Sequence, residues 1–461
     1  MVRLRKPKTA VPFFDGVPSG AASDADGNVV VIGAGAAGLS AARVLRDQGC
    51  EVVVIEGRDR LGGRLNTITV GEGLVDEGAN WIHNGSANPL YRVAADAGLE
   101  MEKDDLVNPM ALKVFDNVSA RRVHPTRFIY VLSRAGLVLY RYGKESLGAT
   151  HSEHSLAERF DREVDRVRGE TNRRYFRSLL RTLIDLAAAK PADELHPNAL
   201  VLNHVDLMAS DYVITGGFQE LVERLADGVD IRLGTTVEAI RYHDQGVSVV
   251  TNDDTHDCSH VIVTVPLGVL KSQAISFDPP LPATKLAAID NVGVGVVEKV
   301  ILTFDQAFWR AKPGKARSLF YISDVLGDFP AFVDSTSSAG CPTLVAFLAG
   351  EQLDRMAQDP QAFIERAGEV LREIFPDTYR APTAAHVTKW GTDPYSLGSY
   401  SAPTIGVSAN DYEQLAAPVA GRVLFAGEAT YREYAGFVEG AMGSGVREAR
   451  RILGREADLR L

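Results

Sequence analysis

The chain has 461 residues, 45% hydrophobic and 24% charged, with a formal net charge of −11 and a pI near 5.5. No stretch approaches the ~20 uninterrupted apolar residues of a membrane span, and the acidic excess argues against nucleic-acid affinity while suiting a cationic small molecule. Three scattered cysteines, Cys50, Cys258 and Cys341, are too few for a disulfide framework, and no metal site is expected.

The start, residues 1–27, carries Arg3, Arg5, Lys6 and Lys8 with no apolar run behind them, so it reads as a loosely ordered extension of a cytoplasmic protein. Asn28 to Ile32 is a β-branched run, as in a parallel strand buried on both faces. It opens into Gly33-Ala34-Gly35-Ala36-Ala37-Gly38 and then a helix-forming stretch, while a second strand, Glu51 to Ile55, ends in Glu56. Gly33 permits the tight turn, Gly35 lets backbone approach a pyrophosphate, and Gly38 lets helix and strand pack closely. The helix N-terminus, from Ala36, offers N–H groups to phosphate, and Glu56 can bind ribose hydroxyls. Arg58 and the run Gly62-Gly63-Arg64 follow; a nicotinamide enzyme has no need of them, but a longer flavin dinucleotide can use that backbone and the Arg64 guanidinium.

Further along, Leu156 to Ala189 has helical period, with Phe160, Val164, Val167, Phe176, Leu179, Leu180, Leu183 and Leu186 as its apolar stripe and its charges as a solvated face. Asp230 to Pro266 reads as a meander of strands. Lys299 interrupts an apolar strand between Val297 and Ile301, so it lies either at a sheet edge or buried with a lowered pKa. Trp390, Tyr395 and Tyr400 share one loop-rich segment and can attract an amine by cation–π contact. Near the end, Val423 to Ala426, Gly427-Glu428 and the helix opened by Phe437-Val438 form another strand–turn–helix.

These residues resemble the flavin-containing amine oxidases, closest to the polyamine and spermine oxidase branch. The resemblance rests on the glycine turn with Gly62-Gly63-Arg64, on Gly78-Ala79-Asn80-Trp81-Ile82-His83, on Glu298-Lys299-Val300, and on Lys389 to Tyr400 together with Leu424 to Thr430 and Gly436 to Ala441. It implies an α/β plus α+β fold, with a Rossmann-type FAD-binding domain over residues 28–84, 211–278 and 385–461. An interleaved substrate-binding domain, a sheet flanked by helices, takes residues 85–210 and 279–384. Cofactor contacts carried over are Gly33, Gly35, Ala36, Gly38, Glu56, Arg58, Gly63, Arg64, Gly78, Ala79, Asn80, Trp81, Val237, Trp390, Tyr395, Gly427, Glu428 and Val438, with Val237 holding the adenine.

Lys299, His83 and Tyr400 are the catalytic candidates. In the resembling family the lysine holds a water against flavin N5, and a histidine near the substrate amine acts as base or positioning group. His83, Trp81, Tyr400 and Phe437 would contact substrate. Ser399 stands where monoamine oxidases carry the cysteine bonded to flavin, so the FAD is expected to be noncovalent. The implied reaction is oxidation of a polyamine or acetylated polyamine by dioxygen, yielding an imine and hydrogen peroxide. Monoamine or L-amino acid oxidation and demethylation of methyl-lysine peptides stay open as alternatives. Neither nucleic acid nor membrane is an expected partner, and the assembly is expected to be a monomer or homodimer.

Overall fold

The computed structural model describes residues 27–104, 112–117, 121–142, 152–199, 210–310, 318–323, 329–349 and 353–461. The N-terminal extension expected over residues 1–27 lies outside them but for Gly27. Among the described residues no helix is long and apolar enough to cross a membrane.

Two sheets dominate. The first is fully parallel, in the order Val423–Phe425, His260–Val263, Val29–Ile32, Val52–Ile55 and Asp230–Arg232. Val29–Ile32 and His260–Val263 are buried at every position, as strands covered on both faces must be. On one face lie helix Ala36–Asp47 and the C-terminal helix Val438–Leu453, so close that a Cβ on Gly445 would stand 2.1 Å from the Ala37 carbonyl. A Cβ on Gly38 would meet the Gly33 carbonyl at 1.9 Å, which is why the third glycine of the turn can be nothing larger.

The other main sheet has seven strands, ordered Ala384–Val387, Val297–Thr303, Thr343–Ala349, Ala331–Asp334, Ser318–Ile322, Leu112–Asp116 and Arg121–Arg122. Helices Pro125–Tyr142, Leu156–Asp165 and Glu170–Ala188 pack together beside it around Phe160, Val164, Val167, Phe176, Leu179 and Leu180. The helical stretch expected to run from Leu156 to Ala189 is thus two helices. Ser155 caps the first through a reciprocal pair with Glu158, and Gly169, at φ +85°, breaks the chain before the second.

The expected meander is shorter than its sequence suggested. Its antiparallel part is Val237–His243, Gly246–Thr251 and Thr255–Cys258, with Ser276–Asp278 added in parallel. The flanking strands Asp230–Arg232 and His260–Val263 belong to the parallel sheet. The cause is visible in burial: Val237–His243 alternates, whereas His260–Val263 is covered on both sides.

Three boundaries between the halves also move. Leu90, Ala94 and Leu99 enter the core beneath the parallel sheet, although residues from 85 onward were assigned to the substrate side. Ala288 and Ile289 of helix Ala283–Asn291 join the cluster on that sheet's other face, and Gly293–Gly295 pairs with Tyr400–Ala402. Ala384–Val387 pairs with Val300–Thr303 in the seven-stranded sheet. We propose that the chain crosses between halves after Leu99, after Gly295 and after Val387. The motif ends that marked the earlier boundaries carry no information about which core receives the next apolar residue.

The helix pair is the tightest joint of the nucleotide half. Gly445→Val should cost about 1–3 kcal/mol through overpacking, read as a lowered thermal unfolding midpoint; an unchanged midpoint would show that the two helices separate freely.

Candidate active site

Gly33, at φ +103°, turns the chain from the first strand into its helix, and the Gly33 N–H donates to the Ile55 carbonyl. Glu56 closes the turn, its carboxylate accepting from the Ala34 N–H at 2.7 Å and the Arg58 N–H at 2.9 Å. The second glycine turn lies directly on the first: Gly62 N–H donates to the Ala34 carbonyl, and Gly35 forms a bridge with Gly62. A Cβ on Gly35 or Gly63 would find no atom nearer than 3.5 Å, so bare backbone from both turns faces a cavity of 880 Å³.

Every sequence-predicted site residue except Gly38 lines that cavity, and Gly38 does the packing described above. One end holds Glu56, Arg58, Thr236, Val237 and Tyr395; the middle runs past Gly35, Gly63 and Gly427 to Val438, at the N-terminus of the last helix. The other end is formed by Trp81, His83, Lys299, Phe347, Tyr400 and Phe437. A nucleotide-sized pocket, a glycine-lined waist and a helix N-terminus in series fit a flavin dinucleotide.

Several predicted polar contacts are already engaged within the protein. Arg58 forks onto Asp393 with two 2.7 Å bonds and reaches Ser396 at 2.8 Å. Arg64 Nη1 donates to the Ser399 carbonyl at 2.8 Å and to Glu428 at 3.0 Å. Glu428, buried, also accepts from Ser401 Oγ and the Gly436 N–H, so its carboxylate ties three segments together rather than standing open to a ribityl chain. The Ser399 hydroxyl donates to the Val297 carbonyl and accepts from its N–H, both at 2.9 Å.

The aromatic segment divides. Tyr395 belongs to the nucleotide end, its hydroxyl 3.0 Å from Thr236 Oγ1 and its ring 5.4 Å from the Arg58 guanidinium, so it is no wall for an amine. Trp390 is buried and donates to the Glu77 carbonyl. Tyr400 lies at the far end, beside Gly436 and the Phe437 segment.

Lys299 is buried in an interior strand, flanked by Ala384–Val387 and Thr343–Ala349 and paired in register with Phe347. Its ammonium donates to the Asp76 carbonyl at 2.9 Å, the Gly78 carbonyl and Asn80 Oδ1. Burial pushes Lys299 down to about 7, against the pull of the Asp76 and Glu77 carboxylates. Asp76 itself, buried beneath, is raised to about 6 despite hydrogen bonds from Thr67 and the Phe218 N–H. All three oxygens on Lys299 are acceptors, so each favours its protonated form.

At the opposite side of the far end, His83 Nδ1 lies 3.0 Å from Asp211 Oδ1, and Asn88 bridges the His83 carbonyl to Glu439 Oε1. Burial lowers the His83 pKa, but the hydrogen bond and charge of Asp211, with Glu439 behind, outweigh it and the net shift is upward. Burial raises Glu439. A run of ring contacts joins the two groups: Lys299 Nζ to Phe347 at 5.5 Å, Phe347 to Trp81 at 5.7 Å, Trp81 to His83 at 6.4 Å and His83 to Phe437 at 6.0 Å. Phe347, Asp211 and Glu439 were missed in the sequence. Phe347 sits in a wholly apolar strand and is singled out only by its register with Lys299; Glu439, an acid in a helix's first turn, was the one legible signal.

A profile described as flavin containing amine oxidoreductase matches residues 36–453. The chain belongs to that family. Lysine-specific histone demethylase 1 homolog 1 of Arabidopsis thaliana is 35% identical over 453 residues, covering 92% of this chain and 52% of that protein. Lysine-specific histone demethylase 2 of Homo sapiens is 31% identical over 442 residues, covering 92% and 53%. The chain therefore spans about half the length of the curated relatives it matches. Wild-type putrescine oxidase bound to putrescine and cyclohexylamine oxidase from Brevibacterium oxydans superpose with TM-scores of 0.76 and 0.77 at 23% identity, each over 93% of this chain and 99% of theirs, so the fold is shared. As a member of the flavin-containing amine oxidoreductases it has FAD as its cofactor.

Two outcomes are expected from this geometry. With a serine turned onto Val297 in place of any thiol, acid precipitation should release all FAD into the supernatant; flavin retained in the pellet would contradict a noncovalent site. In Asp211→Asn, burial acts on His83 with its main partner gone, so the imidazole should titrate below its ordinary ~6.5 where the wild type titrates above it, followed by histidine NMR. The paired imidazolium stabilises the wild type at pH below ~6.5, and that contribution fades as pH rises through the raised folded value. The variant should therefore lose stability mainly on the acidic side.

Proposed function

We propose that the protein oxidises a diamine or polyamine, free or acetylated, at a carbon next to nitrogen, with dioxygen as final acceptor. The observation that carries this reading is the pairing of two ends in one compartment. Lys299 stands at one, and His83 with Asp211 and Glu439 at the other, with the Phe347 and Trp81 rings between them. Leu183, Ala187, Phe320 and Val333 also line the cavity, and such apolar lining suits a methylene chain.

Bound FAD would supply the acceptor for the two electrons and the hydride-equivalent. The chain's own residues do the rest. Two carboxylates around one imidazolium leave a net negative group, which attracts a second cationic nitrogen and fixes how far the first reaches. Tyr400 and Phe437 flank the approach, their ring faces receiving a cation before it gives up its proton. Asn80 and the Asp76 and Gly78 carbonyls hold the Lys299 ammonium in one place. The apolar wall excludes bulk water, so the amine is held where its neutral form is favoured.

The curated relatives support a second reading, in which the amine is a methylated lysine side chain of a peptide, because histone demethylases are similar to this chain over nearly all of its length. Peroxide release with putrescine, spermidine, spermine, N-acetylspermine, a monoamine and a methyl-lysine peptide separates the two; turnover of the peptide alone removes the polyamine reading. Glu439→Gln should raise KM for a diamine about tenfold or more while leaving a monoamine of equal length nearly unchanged. Equal effects on both would show that Glu439 does not bind the distal nitrogen. Lys299→Met should leave FAD bound and cut turnover by about 10²-fold or more, measured by stopped-flow on each half-reaction.

A further inference from the structure

The acidic total conceals a long basic stretch. From Asn117 to Lys144 the sequence has five arginines and one lysine and no Asp or Glu, in a chain whose net charge is −11. Its described part contains helix Pro125–Tyr142. Phe128, Val131, Ala135 and Val138 face inward and fill the cluster shared with helix Glu170–Ala188, so the helix has already satisfied its core. Its outer face is nonetheless apolar. Ile129 is 54% exposed, Leu137 44% and Tyr130 38%, three of the eight large apolar residues most exposed among the described residues. Arg127, Arg134 and Arg141 recur every seven residues, two helical turns, and so form a row along one side of that stripe. Arg141, half exposed, also pairs with Glu163 at 3.5 Å.

We propose that this outer face docks on an anionic lipid surface, with the helix lying in the interface plane. An apolar stripe bordered by arginines meets a bilayer in two ways at once: the aliphatic side chains enter the acyl boundary and the guanidiniums meet lipid phosphates. A nucleic acid would use the arginines but has no place for Ile129 and Leu137. A second copy docked face to face would set the arginine row against itself, with no acid on the helix to answer it. Because the rest of the chain is acidic in sum, an anionic surface favours this basic region over the remainder. The neighbouring helix, Glu170–Ala188, supplies Leu183, Ala187 and Ala188 to the cavity, so docking would place the catalytic compartment one helix away from the lipid.

The test is flotation of the full-length FAD-loaded protein with vesicles of phosphatidylcholine alone and of phosphatidylcholine mixed with phosphatidylglycerol. Binding is expected to the mixed vesicles only and should fall as salt rises. Arg127→Gln and Arg134→Gln should each weaken it roughly fivefold, and Ile129→Asp with Leu137→Asp should abolish it, while bound-flavin absorbance and amine oxidation in solution stay at wild-type level. If the double aspartate variant does not fold, the arginine variants carry the test. No binding to mixed vesicles, equal binding to both vesicle types, or binding that the arginine variants leave unchanged would overturn the proposal. So would capture of duplex DNA by this face in place of vesicles, or a wild-type dimer that the double aspartate variant dissociates.

Discussion

A single buried cation joins the two halves of this protein. Lys299 is carried by an interior strand of the seven-stranded sheet, yet its ammonium is held by oxygens of Asp76, at the end of the hairpin Thr67–Val70 and Gly73–Asp76, and of Gly78 and Asn80 in the cavity-lining segment just beyond it. A buried ammonium without acceptors would be strongly unfavourable, so the contact fixes how closely the sheet and the Gly78–Trp81 segment approach. That approach in turn sets the position of Trp81, and through Trp81 and His83 the shape of the substrate end. The same lysine is thus a structural tie as well as the proposed catalytic group.

The polar groups around the cavity fall into two kinds. Arg58, Arg64, Glu428 and Ser399 are occupied by partners far away in sequence, and their work is to hold the glycine turns, the Ser399–Ser401 segment and the start of the last helix in one register. What remains for the dinucleotide is largely backbone, at Gly35, Gly63 and Gly427, together with the helix N-termini at Ala36 and Val438. Gly38 and Gly445 serve a different need, since a Cβ there would meet backbone carbonyls at 1.9 and 2.1 Å, and they set how closely the elements behind the cradle pack.

Charge is distributed with similar economy. The net −11 is an average over a surface that includes a helix without a single acid, and over a cavity whose acids are spread from Glu56 through Glu428 to Glu439. The acidic total suits a cationic ligand. The local arrangement decides where its cations can sit, and the exception at helix Pro125–Tyr142 is invisible in the total.

The sequence alone marked out the nucleotide turn and singled out Lys299, because those features are local. A strand, a glycine turn and a helix N-terminus lie within about fifteen residues of one another, and a lysine among aliphatic strand residues stands out at once, although only the sheet order showed that it is interior rather than at an edge. Only tertiary structure decided the rest. Phe347 faces Lys299 through strand register, and Asp211 meets His83 across 128 residues of chain. Tyr395 parts from Tyr400 although five residues separate them, because the loop carries one toward the adenine-side valine and the other toward Phe437. Which core receives Leu90, Ile289 or Ala385 was likewise a matter of what else was packed there. Apolar periodicity states that a face must be covered; the partner that covers it is chosen by long-range contacts that no window of sequence contains.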